Sequence, residues 1–152
     1  MLALIGGLFA LFLFFQGVDL WNHFAVYGTF TGTVSPYRFE HEIVGVDQYD
    51  NKISNRTFEN KIVLLDFWHT RCGNCFEKFP ALQDFVETYK NEGSLKIFAL
   101  NKPLEEDTES RAFEVIAEKG YSFPVLLPSD EDLPDKLGVT GYPTSFVIDT
   151  NG

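Results

Sequence analysis

Short apolar runs alternate with longer amphipathic segments along most of this chain, a pattern that predicts strands alternating with helices. The run Ile62–Trp68 is nearly continuous in apolar residues, which is typical of a strand buried on both faces of a sheet. The predicted strands are Ile43–Val46 and Lys52–Ile53, which form a hairpin around a turn-rich stretch, then Ile62–Trp68, Leu95–Leu100, Val125–Leu127 and Ser145–Asp149.

Three helices are predicted between these strands. The first extends from about Cys72 to Lys90, with Pro80 expected to kink it. Its apolar residues recur at helical spacing, which predicts one buried face made of Phe76, Phe79, Leu82, Phe85, Val86 and Tyr89.

A second helix is expected to be capped by Asp107 or Thr108 and to end at Gly120. Its predicted inward residues are Phe113, Ile116 and Ala117, and Leu133–Leu137 is a third, short helix. Strands that alternate with helices in this way indicate an α/β fold. The chain stops at Asn151-Gly152, where a further strand and helix would be expected, so the sequence looks truncated.

The N-terminal part has a different composition. Residues 1–18 contain no charged side chain, and a stretch of this length is close to the minimum for a membrane-spanning helix. We expect a membrane anchor; a cleaved signal segment and a buried soluble helix are the alternatives. Residues 19–38 are rich in glycine, threonine and aromatic residues and are interpreted as a linker, followed by a compact domain over residues 39–152.

The chain has a formal net charge of −10. Binding to nucleic-acid phosphates needs a basic face, so a nucleic-acid partner is not expected. A solvated acidic surface accounts for this charge, and a preference for basic partners is the alternative.

The two cysteines of the chain, Cys72 and Cys75, stand where the strand ending at Trp68 gives way to a helix. The positive end of a helix favours a thiolate, so Cys72 is the candidate nucleophile and Cys75, one turn further in, the candidate resolving thiol. Arg71 and His69 would place cationic or protonatable groups beside Cys72. These features predict a redox-active disulfide.

Asp66 lies within the apolar strand, six residues before Cys72. A buried carboxylate in this position is a candidate general base that accepts the proton of Cys75. The alternative is an aspartate that points into solvent or caps a turn.

The segment from Asp66 to Cys75 resembles the active-site segment of the thioredoxin superfamily. Phe79-Pro80 and the stretch from Val139 to Asp149, about 70 residues beyond the cysteines, are similar to the membrane-anchored TlpA/ResA-like branch. The resemblance implies a thioredoxin-like fold with a central mixed sheet flanked by helices.

The same resemblance implies a thiol–disulfide oxidoreductase without a bound cofactor, anchored to a membrane with its domain outside the cytoplasm. Its expected substrates are proteins with disulfide bonds, such as apocytochrome c. Its expected source of electrons is a membrane or extracytoplasmic donor. It also implies a cis peptide bond before Pro143 and a substrate-binding role for Tyr142. Trp68 and Arg71 complete the expected substrate-binding residues; the family commonly has tryptophan at the position of Arg71, so a difference in partner choice is expected here.

Two other functions remain open from the sequence. His69, Cys72 and Cys75 have a spacing compatible with a metal site such as that of a copper chaperone, but no fourth ligand is evident and no metal is expected. A permanent structural disulfide in a non-catalytic interaction domain is the other alternative.

Overall fold

A computed structural model describes residues 39–151 of the chain. The elements in this range are β1 Val44–Asp47, β2 Lys52–Ser54, α1 Asn55–Phe58, β3 Ile62–Trp68, α2 Gly73–Tyr89, β4 Leu95–Asn101, α3 Arg111–Glu118, β5 Val125–Pro128, α4 Leu133–Lys136 and β6 Thr144–Ile148. The predicted strands and helices are all present, with ends within a few residues of the expected ones. The short helix α1 was not predicted, although a polar contact from the Ser54 backbone N–H to Thr57 Oγ1, at 3.2 Å, marks its start.

The strands form one mixed sheet in the order β2-β1-β5-β4-β3-β6. Strand β4 pairs in parallel with β3 and with β5. Strand β1 pairs in antiparallel fashion with β2 and with β5, and β6 does so with β3. Strand β3 therefore lies inside the sheet, next to the edge strand β6 and with β4 on its other side. The α/β fold class with a mixed sheet flanked by helices is confirmed.

Side chains on the two faces of the sheet build two apolar clusters. One cluster lies beneath α2 and α3 and includes Trp68, Cys75 and Phe79. The other lies on the opposite face, where Phe67 and Leu133 are among its members. Because successive strand residues point to opposite faces, neighbours in β3 contribute to different clusters.

The apolar face of α2 is narrower than predicted. Phe79 and Leu82 are buried, but Phe85 and Tyr89 are 38% and 42% exposed and pack on each other with ring centroids 4.7 Å apart. The prediction that both face the core was wrong, because Phe85 lies roughly 90° around the helix from the buried Cys75, Phe79 and Leu82, and Tyr89 is the last residue of the helix. In α3 the prediction was also wrong for Ala117, which is exposed while Ala112, Val115 and Ile116 are buried.

The predicted cap of α3 was wrong as well. The helix begins at Arg111 with Ser110 as its N-cap residue. Asp107 instead closes a turn, in which its Oδ2 accepts a hydrogen bond from the Leu104 N–H at 3.1 Å. The predicted C-terminal signal was correct, since Gly120 has a φ of +77°, a conformation that glycine adopts readily.

The proposed anchor of residues 1–18 and the linker of residues 19–38 lie outside the described residues. Within residues 39–151, no helix combines the length and the apolar character needed to cross a membrane.

Candidate active site

The two cysteines occupy the junction between β3 and α2. Cys72 is the N-cap residue of α2, and its Sγ accepts a hydrogen bond from the Cys75 N–H at 3.1 Å. The two side chains form a disulfide bond, with their Cα atoms 5.2 Å apart. The predicted disulfide therefore joins residues one helical turn apart.

Burial distinguishes the two sulfur-bearing residues. Cys75 is fully buried in the cluster beneath α2, whereas Cys72 retains 6% exposure at its edge. Of the two residues, only Cys72 therefore keeps contact with solvent. This order of access matches the predicted roles of nucleophile and resolving thiol, which stay predictions.

The start of α2 offers a favourable electrostatic setting for a thiolate on Cys72. The helix has 17 residues, and its first turn carries no acidic side chain that would offset the positive end of its dipole. Free N–H groups in that turn are available to a negatively charged sulfur. Reduction of the disulfide would therefore produce a cysteine suited to nucleophilic attack.

The segment that contains Pro143 lies beside this junction. The His69 ring meets the Tyr142 ring edge to face, with centroids 5.1 Å apart, and the peptide bond between Tyr142 and Pro143 is cis. Tyr142 is half-buried, and burial, aided by the charge of Asp135, raises the pKa of its phenol. The two sequence segments of the predicted site, separated by about 70 residues, are thus in contact through these rings.

His69 does not supply a positive charge in neutral solution. Burial lowers the pKa of its imidazole, and the charge of Arg71 lowers it further, while Asp107 opposes both. Its Nδ1 accepts a hydrogen bond from the Arg71 N–H at 3.2 Å, as an unprotonated nitrogen can. Of the cationic or protonatable groups expected beside Cys72, His69 is therefore the protonatable one, and its surroundings favour the neutral imidazole.

Two side-chain contacts join the loop before α2 to the loop before α3. The Arg71 guanidinium forms an ion pair with Glu106, and the Thr70 hydroxyl donates a hydrogen bond to Asp107 Oδ2 at 2.8 Å. Arg71 is exposed, as a substrate-binding side chain needs to be, but Glu106 offsets much of its charge. Neither contact was predicted from the sequence, where Asp107 was expected to cap the following helix.

Asp66 is fully buried, as predicted. Its Oδ1 forms an ion pair with Lys78 and accepts a hydrogen bond from Ser145 Oγ at 2.7 Å. Sequence reasoning missed both partners. Lys78 could have been found, because it stands three residues after Cys75 and shares its helix face, whereas Ser145 depends on the pairing of β3 with β6.

Trp68 is the clearest correction among the predicted substrate-binding residues. Its side chain is fully buried and meets the Phe79 ring edge to face at a centroid distance of 5.2 Å. A substrate cannot reach a side chain in this position. Trp68 packs in the core because the strand alternation directs it beneath α2.

Residues 39–151 hold no group of three or more histidine, cysteine or acidic side chains arranged to bind a metal ion. The two sulfurs that such a site would use are bonded to each other.

The sequence is similar to that of known thiol-disulfide oxidoreductases. ResA, a thiol-disulfide oxidoreductase of Bacillus thuringiensis, is 30% identical over 109 residues, which cover 72% of this chain and 61% of ResA. The chain thus spans about three-fifths of the length of the curated relatives it matches.

Solved structures show the same architecture. The thioredoxin domain of a thiol-disulfide oxidoreductase from Bacteroides vulgatus superposes with a TM-score of 0.64 at 24% identity, covering 79% of this chain and 85% of that domain. StoA from Bacillus subtilis gives a TM-score of 0.64 at 22% identity, covering 76% of this chain and 85% of StoA. These likenesses confirm the thioredoxin-like fold. The sequence profile of the AhpC/TSA family matches residues 36–152, and the chain belongs to that family.

Proposed function

We propose that this protein is a thiol–disulfide oxidoreductase whose Cys72–Cys75 pair cycles between a dithiol and a disulfide. The observation that carries the proposal is the disulfide itself, which joins the N-cap residue of a long helix to a fully buried cysteine one turn further in. A purely structural disulfide would not need one sulfur at a helix N-terminus and at the protein surface. The name of the matched relative, a thiol-disulfide oxidoreductase, supports the same activity.

The reaction begins with the reduced pair. The Cys72 thiolate attacks one sulfur of a substrate disulfide, forms a mixed disulfide and releases the other substrate sulfur as a thiolate, which is protonated by solvent. Cys75 then loses its proton and attacks Cys72 Sγ. This restores the Cys72–Cys75 disulfide and releases the second substrate thiol, so two electrons pass to the substrate. An external dithiol returns the pair to the reduced form, and no bound cofactor is needed.

Substrate binding is assigned to the surface around Cys72. Tyr142 and Pro143 lie beside the cysteine loop, and the backbone next to Pro143 would align an extended polypeptide with the exposed edge of Cys72. Arg71 stands on the same loop with its side chain exposed, and its pairing with Glu106 makes its charge available only in part. We therefore propose that protein disulfides, not small-molecule disulfides alone, are the substrates.

The reducing direction and an extracytoplasmic location are further parts of the proposal. They are supported by the uncharged stretch of residues 1–18, which suits a membrane anchor, and by the resemblance of the site segments to membrane-anchored relatives. Secreted proteins with disulfides, which include apocytochrome c, are the proposed partners, with a membrane or extracytoplasmic donor as the source of electrons.

Reduction of insulin or of a model disulfide by the reduced protein tests the activity. We expect turnover by the natural chain, none with Cys72→Ala, and a trapped mixed disulfide with Cys75→Ala but not with Cys72→Ala. Absence of turnover combined with stoichiometric uptake of copper or zinc by the dithiol would overturn the proposal. For the location, the natural chain is expected in the membrane fraction and a chain lacking residues 1–18 outside it; equal distribution of the two would reject the anchor.

A further inference from the structure

The carboxylate of Asp66 is held unevenly. Lys78 pairs with its Oδ1, and Ser145 donates a hydrogen bond to the same oxygen at 2.7 Å. Lys78 Nζ also donates to Ser145 Oγ at 2.7 Å, so the three side chains form a closed cluster, here called the Asp66 cluster. The other oxygen, Oδ2, is buried without a hydrogen-bond partner.

An unpartnered buried carboxylate oxygen is costly, and a catalytic role is one explanation for its retention. Rotation of the carboxyl group could share the two donors between both oxygens. In the Asp66 cluster both donors instead contact Oδ1 and each other, and neither contacts Oδ2. The arrangement therefore presents one occupied and one free oxygen.

The free oxygen lies in the layer that contains the resolving cysteine. Strand alternation places Asp66 on the same face of the sheet as Trp68, the face on which α2 packs. Cys75 and Lys78 are three residues apart on α2, so they lie on one side of that helix. The contact between Lys78 and Asp66 brings this side of the helix over the carboxylate.

We propose that Lys78 and Ser145 are positioning residues that hold Asp66 Oδ1 and leave Oδ2 as the base for Cys75. This inference rests on the proposed function and names the groups that set its second step. In the mixed disulfide, Cys75 transfers its thiol proton to Asp66 Oδ2 and its sulfur attacks Cys72 Sγ. The bond from Cys72 to the substrate sulfur breaks, the substrate thiolate takes a proton from water, and Asp66 later returns its proton to solvent.

Lys78 is the charged side chain that neighbours Asp66. In the paired register, β4 places Ala99 beside Asp66 and β6 places Ser145 there, and neither carries a charge. Among residues 39–151, Lys78 is the only side chain that forms an ion pair with Asp66. Loss of its charge therefore removes both the orientation of the carboxylate and its compensating cation.

The test separates attack by Cys72 from resolution by Cys75 in single-turnover reactions of the full chain. Lys78→Gln is expected to slow resolution by about 10-fold to 100-fold. Loss of a general acid or base itself usually costs about 100-fold or more, and a positioning residue should cost no more than that. Lys78→Gln leaves the rate of the first attack unchanged. Lys78→Arg should restore most of the rate, and Ser145→Ala should cost only a few-fold.

Lys90→Gln is the matched control, since Lys90 caps the C-terminal end of the same helix and pairs with Glu87 on the surface. It is expected to leave both steps unchanged. In an Asp66→Asn background, Lys78→Gln should have no additional effect on resolution. An equal additional loss there, or resolution at the natural rate in Lys78→Gln, would overturn the inference. Failure of the natural chain to reduce any disulfide would instead overturn the proposed function.

Discussion

Replacement of Phe79 by alanine is expected to lower the free energy of unfolding by about 3–5 kcal/mol, the usual loss for a fully buried phenylalanine. Phe79 has no exposed surface, and its ring lies within 5.0 to 5.6 Å of the rings of Trp68, Phe76, Tyr121 and Phe123, measured between centroids. The cavity left by the substitution cannot close easily, because four rigid rings from three parts of the chain surround it. Small domains have only about 5–15 kcal/mol of stability, so the loss is a large fraction of the whole.

Phe85→Ala is the matched control, because it removes the same side chain from the same helix at a position that is 38% exposed. We expect a loss of about 1 kcal/mol or less there, since only part of the ring leaves contact with the protein. Both variants are measured in the disulfide-bonded form by urea and thermal unfolding, followed by circular dichroism. A domain of this size should show a fall in Tm of roughly 10–20 °C for Phe79→Ala. Similar losses for the two variants would refute the placement of α2 on the sheet.

Gly45→Ala is expected to cost about 1–3 kcal/mol of stability, because the added Cβ would lie 2.1 Å from a carbonyl oxygen of β5. In the control Gly93→Ala, the added Cβ meets no atom within 4 Å, so this variant should be nearly neutral in the same unfolding assay. Nuclear magnetic resonance titration should find the pKa of His69 below 6.5, and lower still in Asp107→Asn, since Asp107 raises it. Because the folded state disfavours the protonated imidazole, the contribution of His69 to stability should fall as the pH drops below about 6.5 and level off under its folded pKa; a rising contribution over that range would contradict the burial. Glu106→Gln frees the neighbouring Arg71 from its ion pair, so alkylation of reduced Cys72 should become faster at low salt. An unchanged alkylation rate would show that the ion pair is irrelevant to the thiolate.

The local pattern was a sufficient guide to the strands. Ile62–Trp68 was predicted as a buried strand from its apolar run alone, and the structure has the same bounds. The hairpin before it was also recognised, because turn residues between two apolar stretches have few other solutions. Local sequence decides such elements, since propensity and burial pattern agree.

Side-chain environment was less predictable than element type. Phe79 and Phe85 were both predicted on the buried face of α2, but they lie about 120° apart around the helix and only Phe79 reaches the core. Trp68 was expected to bind substrate, but the packing of α2 placed it in the core. Periodicity identifies an apolar stripe, but the extent of the neighbouring sheet decides how much of the stripe is covered.

The cysteine pair, the buried Asp66 and the proline segment were all identified from the sequence, because their chemistry and spacing are characteristic even without coordinates. Only the tertiary structure paired Asp66 with Lys78 and Ser145 and offset the charge of Arg71 with Glu106. These contacts join residues that are 12 to 79 positions apart or lie on separate loops. The sequence therefore determined which reactive groups this protein has, whereas the packing of helix on sheet and strand on strand decided which charges and hydrogen bonds surround them, because those distances exist only once the chain has folded.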